Sequence, residues 1–232
     1  MALYALSDPH LSHGVNKPMD IFGNRWKDHT QRIKYFWERT VTENDTVVLP
    51  GDISWGMTLE EALPDLLFLE SLPGKKILSK GNHDYWWVTL SKIKKAFEEH
   101  KIESIDLLYN NAFPCEDYAI CGSRGWFTEN ASPSGTDFDK IVAREAGRIE
   151  RSLIAGMALD KKEPLVFLHF PPVMNDFVCR EILDVLHKYG VKRCFYGHMH
   201  GIYTIPPTFV YEEIAFTIVA ADHLQFDPLL IP

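Results

Sequence analysis

Residues 76–84 read KILSKGNHD, and this stretch carries the strongest information about the fold. Its first half is a short apolar run, typical of a buried β-strand. In its second half the chain reverses at Gly81 and Asn82, two residue types that tolerate left-handed backbone conformations. His83 and Asp84 follow at once, so an amide, an imidazole and a carboxylate stand together directly after a predicted strand.

Other stretches repeat this construction, with metal-ligating residue types placed after a short apolar run. They are Asp8-Pro9-His10 after residues 2–6, Gly51-Asp52 after 46–49, His169 after 165–168, and Gly197-His198-Met199-His200 after 193–196. Strands that run the same way bring the loops after them to one edge of a sheet, where open α/β sheets bind ligands. The sequence therefore predicts one cluster of oxygen and nitrogen ligands, which is a metal site.

The spacing within these stretches supports the same interpretation. Asp8 and His10 are two residues apart, as are His198 and His200, and side chains two apart in an extended segment face the same way. Each pair can thus reach one ion. Gly51 lets the backbone turn before Asp52 and approach a metal closely.

Length and composition indicate an α/β protein that buries a sizeable core. The chain has 232 residues, 46% of them hydrophobic. We expect no membrane span, since no run approaches about 18 apolar residues, and no cleaved signal peptide, so a cytoplasmic location is the default expectation. The four cysteines form no Cys-x-x-Cys pair, which favours buried, reduced thiols.

The net charge is −8, and no basic face is evident in the sequence. Proteins that bind long nucleic acids usually have one, so the charge disfavours a nuclease without excluding it.

Helical periodicity covers residues 26–43, 58–72, 85–99, 137–159 and 177–189. Thr58 is a candidate N-cap for the second helix, with Glu61 three residues later. Further strands are expected at residues 118–121, 209–213 and 217–220, so helices alternate with early strands and late strands adjoin. This order predicts a single domain over 1–232, built as a mixed α/β sandwich. Residues 123–160 are expected to form a cap-like excursion near the site.

The five stretches resemble the sequence blocks of the calcineurin-like metallophosphoesterases, in the same order and over residues 8–200. The resemblance implies two packed mixed β-sheets flanked by helices, with a dinuclear metal centre at one edge. It assigns Asp8, His10 and His200 to the first ion and Asn82, His169 and His198 to the second, with Asp52 as the bridge. His83 would assist the leaving group as proton donor, and Asp84 would orient its ring.

The resemblance also implies the chemistry. Two ions about 3.5–4 Å apart lower the pKa of a shared water, which attacks as a bridging hydroxide, and clamp the phosphoryl oxygens for in-line displacement. Carboxylate, amide and imidazole ligands suit Mn²⁺, Fe or Zn²⁺ better than Mg²⁺ or Ca²⁺. The second block reads Gly51-Asp52-Ile53-Ser54-Trp55 and lacks the Asp-Arg pair of the protein-phosphatase branch. This departure favours the small prokaryotic-type phosphohydrolases.

For several side chains near the blocks, the sequence allows both a functional and a structural interpretation. Arg124 can bind substrate phosphate, or it can form a surface salt bridge. Trp55, Trp86 and Trp87 can stack on an aromatic substrate, or pack beneath the loops. Asp222-His223 is either an extra site or structural.

The sequence as a whole favours hydrolysis of a small phosphomonoester or phosphodiester. A metal-dependent nuclease is the alternative, followed by a non-catalytic protein-binding scaffold of the same fold. Intact ligands and His83 argue against the scaffold.

Overall fold

The computed structural model describes residues 1–126 and 136–232. Residues 127–135, which belong to the predicted excursion, lie outside the described residues. The α-helices of the described part are α1 (His29–Thr40), α2 (Leu59–Glu70), α3 (Leu90–His100), α4 (Thr136–Met157) and α5 (Arg180–Lys188). Two short 3₁₀ helices, Met19–Phe22 and Asn24–Trp26, precede α1.

The first sheet contains the early strands of the chain. They are β1 (Leu3–Ala5), β2 (Thr46–Pro50), β3 (Lys75–Ser79) and β4 (Ile105–Leu107), joined by the C-terminal β13 (Leu229–Ile231). Their order is β13-β1-β2-β3-β4. The pairs among β1 to β4 are parallel, and β13 is antiparallel to β1.

The second sheet is built from the later strands. They are β5 (Phe113–Cys115), β6 (Tyr118–Ser123), β7 (Glu163–Leu168), β10 (Arg193–Tyr196), β11 (Thr208–Tyr211) and β12 (Ile214–Ile218). The order is β11-β12-β10-β7-β6-β5, with parallel inner pairs and an antiparallel strand at each edge. A separate hairpin, β8 (Val173–Met174) and β9 (Phe177–Val178), follows β7.

Successive side chains of each strand point to opposite faces of its sheet, and this alternation divides the core into three apolar layers. Val48, Ile77, Phe167 and Phe195 belong to the layer between the sheets. Side chains of the opposite parity, such as Leu49, meet α1, α2 and α3 on the first sheet. Corresponding residues of β7 and β10 meet α4 and α5 on the second. The expected αββα sandwich with two mixed sheets is confirmed.

Local signals in the sequence explain where the helices begin. The Thr58 hydroxyl accepts a hydrogen bond of 3.3 Å from the Glu61 amide, so the predicted N-cap of α2 is confirmed. Three starts lie later than the periodicity suggests. α1 begins at His29, because Trp26 belongs to a 3₁₀ helix. α3 begins at Leu90, because Trp86 and Trp87 are buried in a turn, and α5 begins at Arg180, because Phe177–Val178 forms β9.

Helix α4 is the parallel crossover from β6 to β7, and Val142, Ile149 and Leu153 bury its apolar face on the second sheet. In the described part of residues 123–160, this helix is therefore a layer of the sandwich. The role of the segment as a cap over the site stays a prediction.

Ser7 joins the two sheets at the edge where the parallel strands end. Its amide donates to the Val219 carbonyl at 2.7 Å, and its carbonyl accepts from the Ala221 amide at 2.8 Å. One residue earlier, the Leu6 amide still donates to Val48 of the first sheet at 3.0 Å. The chain after β1 thus passes from one sheet to the other just before Asp8.

The helices of the described residues include none that is both long and apolar enough to cross a membrane. Cys115, Cys121, Cys179 and Cys194 are buried thiols, as expected.

We predict that Phe167→Ala lowers the free energy of unfolding by about 3–5 kcal/mol, the usual cost of emptying a large buried aromatic site. Phe167 is fully buried between the sheets and stacks on Phe195 with ring centroids 4.9 Å apart. Urea unfolding measures the change. Phe22→Ala is the control, because Phe22 is 60% exposed, and should change stability by less than about 0.5 kcal/mol. Equal effects of the two substitutions would contradict the three-layer core.

Candidate metal centre

Two groups of side chains converge where the parallel strands of both sheets end. One consists of Asp8, His10 and His200, and the other of Asp52, His169 and His198. Within each group the possible ligand atoms lie within 4.8 Å of one another. The structure thus brings together the carboxylates and imidazoles that the sequence placed in separate stretches.

In the first group the potential ligand atoms face the same space. The Nε2 atoms of His10 and His200 are 3.1 Å apart, and His200 Nε2 is 3.3 Å from Asp8 Oδ1. Two imidazole nitrogens and a carboxylate oxygen at such distances match the spacing of ligands around one ion with bonds of about 2.0–2.2 Å.

The second group is arranged around His169. Its Nε2 is 2.6 Å from Asn82 Oδ1 and 3.5 Å from Asp52 Oδ2. The His198 ring lies beside it, with centroids 5.1 Å apart. The structure therefore places the Asn82 oxygen beside these side chains.

Asp52 lies between the two groups. Its Oδ2 is 3.7 Å from His10 Nε2 of the first group, in addition to the contact with His169 of the second. Its Oδ1 accepts a 2.8 Å hydrogen bond from the His83 amide. Oδ2 is buried and has no hydrogen-bond donor among the described residues. Leaving such an oxygen unsatisfied is costly, and cations held by the two groups would offset the cost. The residues present fit two metal ions.

The backbone adopts uncommon conformations to bring these ligands together. The φ angles of Asp8, His10, Asp52 and His198 are 59°, 45°, 52° and 66°. Non-glycine residues rarely occupy this left-handed region, and such conformations concentrate at functional sites.

Gly51 precedes Asp52 with a φ of 98°, and a Cβ atom there would lie 2.7 Å from the Gly81 backbone. Only glycine allows these two loops to approach so closely.

The ring orientation of two histidines is fixed by groups behind them. His169 Nδ1 is 3.2 Å from the Pro50 carbonyl, and His200 Nδ1 is 3.0 Å from Asp222 Oδ1. In both rings Nδ1–H can donate outward, which leaves Nε2 free to bind an ion.

Asp222 is a residue that the sequence analysis left undecided. Besides His200, its carboxylate accepts hydrogen bonds from the Gly201 amide at 3.0 Å and the Tyr203 hydroxyl at 2.8 Å. It follows a strand that ends at the same edge as the other ligand-bearing strands. That position in the sequence was the signal that could have indicated a role at the site. His223 instead contacts the Ile202 carbonyl through Nδ1, at 3.1 Å.

Burial and local charge shift the ionisation of the ligands. Burial lowers the pKa of His169 to about 3 and that of His198 to about 4, which favours the neutral imidazole that binds metals. Burial also raises the pKa of Asp52 well above its usual range, and the nearby carboxylates of Asp8 and Asp84 add to the effect. Burial opposes protonation of His200, but Asp8 and Asp222 outweigh it and raise its pKa to about 10. The site thus attracts positive charge.

His83 lies at the half-buried side of the site. Its ring is 4.6 Å from the Trp55 ring and 5.7 Å from the His10 ring, measured between centroids. Trp55 stacks on His10 at 4.7 Å, and the Lys17 ammonium lies 3.3 Å from the centre of the Trp55 ring. Burial lowers the pKa of His83, and the charge of Lys17 lowers it further.

Asp84 occupies a different position from the one implied by the resemblance. Its buried carboxylate accepts hydrogen bonds of 2.8 Å from the Gly81 and Ile53 amides and from the Trp86 indole, and a 3.2 Å bond from Ser54. Among the described residues, none of its hydrogen bonds comes from the His83 ring. Asp84 therefore joins the loops that carry Asp52 and Asn82, and it does not orient His83 directly.

The structure also decides between the interpretations of the aromatic side chains. Trp86 and Trp87 are buried and pack in the first-sheet core, whereas Trp55 is half-buried against His10. Packing thus accounts for Trp86 and Trp87.

Arg124 has no carboxylate within ion-pairing distance among the described residues, so the salt bridge that was one of its two interpretations is not found there. Its guanidinium carbon is 5.8 Å from the centre of the Phe170 ring.

Comparison with known proteins identifies the family. The family model described as calcineurin-like phosphoesterase matches residues 1–201. The chain belongs to this family. Calcineurin-like phosphoesterases are metal-dependent hydrolases, in agreement with the two ligand groups described above. A search of curated proteins finds no match to the sequence.

Solved structures share the fold at low sequence identity. A protein of unknown function from Aquifex aeolicus is 17% identical, with a TM-score of 0.52 over 99% of this chain and 95% of the other. The phosphopantetheinyl hydrolase of Mycobacterium tuberculosis is 14% identical, with a TM-score of 0.55 over the same shares. A protein from Thermus thermophilus, TT1561, is 12% identical, with a TM-score of 0.56 over 95% and 89%. These likenesses concern the fold alone.

We expect the purified protein to hold two metal ions per chain and Asp52→Asn to reduce the content of both. The reason is that the unpaired Asp52 oxygen lies between the two ligand groups. Elemental analysis after equilibration with Mn²⁺ measures the stoichiometry. Asp117→Asn is the control, since Asp117 is exposed and pairs with Lys162 at the surface. Two ions retained by the Asp52 variant would exclude the bridging position.

Asp222→Ala is expected to weaken binding of one of the two ions by about 10–100-fold, the usual effect of losing a carboxylate that orients a ligating histidine. Titration of the metal-free protein with Mn²⁺ reads this affinity directly. Tyr203→Phe is the matched control, because it removes another donor to the same carboxylate and leaves His200 untouched. If both variants bind both ions with native affinity, Asp222 is not a positioning residue.

Proposed function

We propose that this calcineurin-like phosphoesterase uses two metal ions to hydrolyse a small phosphomonoester or phosphodiester. The observation that supports the proposal is the buried, unpaired Asp52 oxygen between two groups of ligands. A structural carboxylate would have its hydrogen bonds satisfied. A carboxylate that bridges two cations needs the unpaired oxygen that Asp52 has.

Asp8, His10 and His200 would hold the first ion, and Asn82, His169 and His198 the second, with Asp52 shared. Mn, Fe or Zn suit this mixture of oxygen and nitrogen ligands. When bound, such a pair supplies a water that is acidic enough to attack at neutral pH and a positive clamp for the phosphoryl oxygens.

Proton donation and the positioning of the loops are assigned to residues of the chain itself. His83 is tied to Asp52 through its backbone, and its ring lies among His10 and Trp55, so it can deliver a proton to the leaving oxygen. Asp84 keeps this loop in place through its bonds to Gly81 and Ile53. His83 is thus the proposed proton donor, and Asp84 a positioning residue.

Substrate binding is assigned to Arg124, which lies beside Phe170, the residue that follows His169. The proposal includes a single domain over residues 1–232, in which the 123–160 segment borders the substrate. The net charge of −8 disfavours the nuclease alternative, because it repels a polyanion at long range.

A hydrolysis screen with added Mn²⁺ tests the proposed substrate class. It should cover aryl phosphates, phosphodiesters, nucleotides, phosphopantetheine esters and short oligonucleotides. Phosphopantetheine esters are included because a hydrolase of that name shares the fold. Turnover of small esters is the expected result. Cleavage of long DNA with no turnover of small esters would favour the nuclease, and two bound ions with no turnover of any ester would favour the scaffold.

His83→Ala should leave the metal content intact and lower kcat by about 10²–10⁴-fold for esters with poor leaving groups, which is the usual contribution of general acid–base catalysis. The loss should be smaller for nitrophenyl esters, because nitrophenolate needs little protonation. Steady-state kinetics on a series of aryl phosphates measures the dependence on leaving-group pKa. His100→Ala on the surface is the control. A loss that is equal across the series would remove the proton-donor role.

A further inference from the structure

A cavity of about 890 Å³ lies beside the metal centre and contains none of the proposed metal ligands. Among the described residues, its lining includes four basic side chains, Lys80, Arg124, Arg144 and Arg148, and one acidic side chain, Glu145. Its volume falls within the range of about 300–1,000 Å³ that is usual for small-molecule sites.

The acidic residue is already satisfied within the protein. Glu145 is buried, and its carboxylate accepts hydrogen bonds from the Ser123 hydroxyl, from the Gly125 amide at 3.1 Å and from Arg148 at 2.9 Å. Arg148 and Glu145 thus compensate each other. Their pairing leaves the other three cations of the cavity without a carboxylate partner among the side chains that the structure describes.

Those three cations are Lys80, Arg124 and Arg144. Within residues 1–126 and 136–232, none of them forms an ion pair, whereas many surface cations do, including Lys75, Lys162 and Arg180. In a protein of net charge −8, this is a local concentration of uncompensated positive charge. All three side chains line the same cavity.

The cavity also contains polar atoms that lack a partner. Arg124 Nε and Trp126 Nε1 are buried donors with no acceptor among the described residues, and both side chains line the cavity. Buried donors without acceptors are costly, and a ligand with several acceptor oxygens would remove the cost. Positive charge and unsatisfied N–H groups together select an oxyanion such as phosphate.

The cavity adjoins the metal centre through two links. Lys80 is two residues from Asn82 in the same loop. Arg124 and His198 flank the same ring: the Phe170 centroid is 5.8 Å from the guanidinium carbon and 4.5 Å from the centroid of the His198 ring. The cavity wall and the second group of ligands are therefore neighbours.

We propose that this cavity binds a second phosphate group of the substrate while the metal centre binds the phosphate that is cleaved. The inference rests on the proposed function and narrows its substrate class to small molecules that carry two phosphate groups. Arg124, Arg144 and Lys80 recognise the uncleaved phosphate, and the Trp126 indole donates to it.

The test compares matched esters in the Mn²⁺-loaded enzyme. Adenosine 3′,5′-bisphosphate is compared with the two adenosine monophosphates, and fructose 1,6-bisphosphate with the two fructose monophosphates. KM should be at least about tenfold lower for a bisphosphate than for its monophosphates, the effect of one or two charge-assisted hydrogen bonds. Equal KM values within both sets would overturn the inference and leave the phosphoesterase assignment standing.

Two arginines of α4 provide a matched pair of variants. Arg144 and Arg151 are both exposed and seven residues apart on the same helix, but only Arg144 lines the cavity. Arg144→Gln should raise KM for the bisphosphate about three- to tenfold, and Arg151→Gln should not change it. Arg124→Gln should reduce the bisphosphate preference further. Equal effects of the two α4 variants would assign the preference to general charge and overturn the site.

Free inorganic phosphate separates the remaining outcomes. If added phosphate lowers KM for a monophosphate, the cavity binds a separate anion and the second-phosphate assignment is wrong. Simple competition by phosphate supports the assignment. If no ester of either set or the aryl phosphates is hydrolysed by enzyme that holds its metal, the proposed function fails together with this inference.

Discussion

The buried carboxylate of Asp52 is the constraint on which the site depends. One oxygen is fixed by the His83 amide, and the other lies unpaired between an imidazole of each ligand group. A negative charge in this position is tolerated only where positive charge is available. The close approach of the Gly51 and Gly81 loops serves to bring the charge there. If water is excluded from both sides of the site, the local dielectric constant is low. The attraction between a bound ion and the Asp52 carboxylate would then be strong.

The ligands are held by backbone conformations that are unfavourable in isolation. Asp8, His10, Asp52 and His198 all have left-handed φ angles, and the surrounding hydrogen bonds hold them there. The Asp8 amide donates to the Gly51 carbonyl at 3.0 Å and the His10 amide to the Asp52 carbonyl at 3.1 Å, so the first two loops support each other. The Asp8 carboxylate in turn accepts from the His198 amide at 2.9 Å. The favourable free energy of folding of the sandwich compensates for the cost of these strained backbone conformations.

The sequence predicted these features to the extent that they were local. Thr58 caps α2 through a contact three residues away, and the ligand-bearing strands were visible as apolar runs before polar turns. The short strands β4, β5 and β13 lacked such a signal, because three residues show too little alternation to be distinguished from a loop.

Long-range partnerships were less predictable. Asp222 contacts His200 from 22 residues away, and Asp84 accepts from Ile53 across 31 residues, so neither role could be derived from neighbours in the chain. Lys80 follows β3 in the chain, and nothing near it in the sequence indicates that it lines a cavity together with residues of α4 and β6. Tertiary packing decides what such polar side chains contact, and periodicity does not report it.

Because Ser7 pairs with Ala220, the site is complete only when both sheets are in place. Asp8 and His198 are 190 residues apart, and closing so long a loop costs conformational entropy before any contact compensates it. During synthesis the carboxylates of Asp8 and Asp52 leave the ribosome well before the imidazoles that follow β7 and β10. The nascent first half therefore presents acidic groups in water and not a finished chelating site. Cation capture is coupled to docking of the second sheet on the first, so a bound ion would stabilise only the completed sandwich.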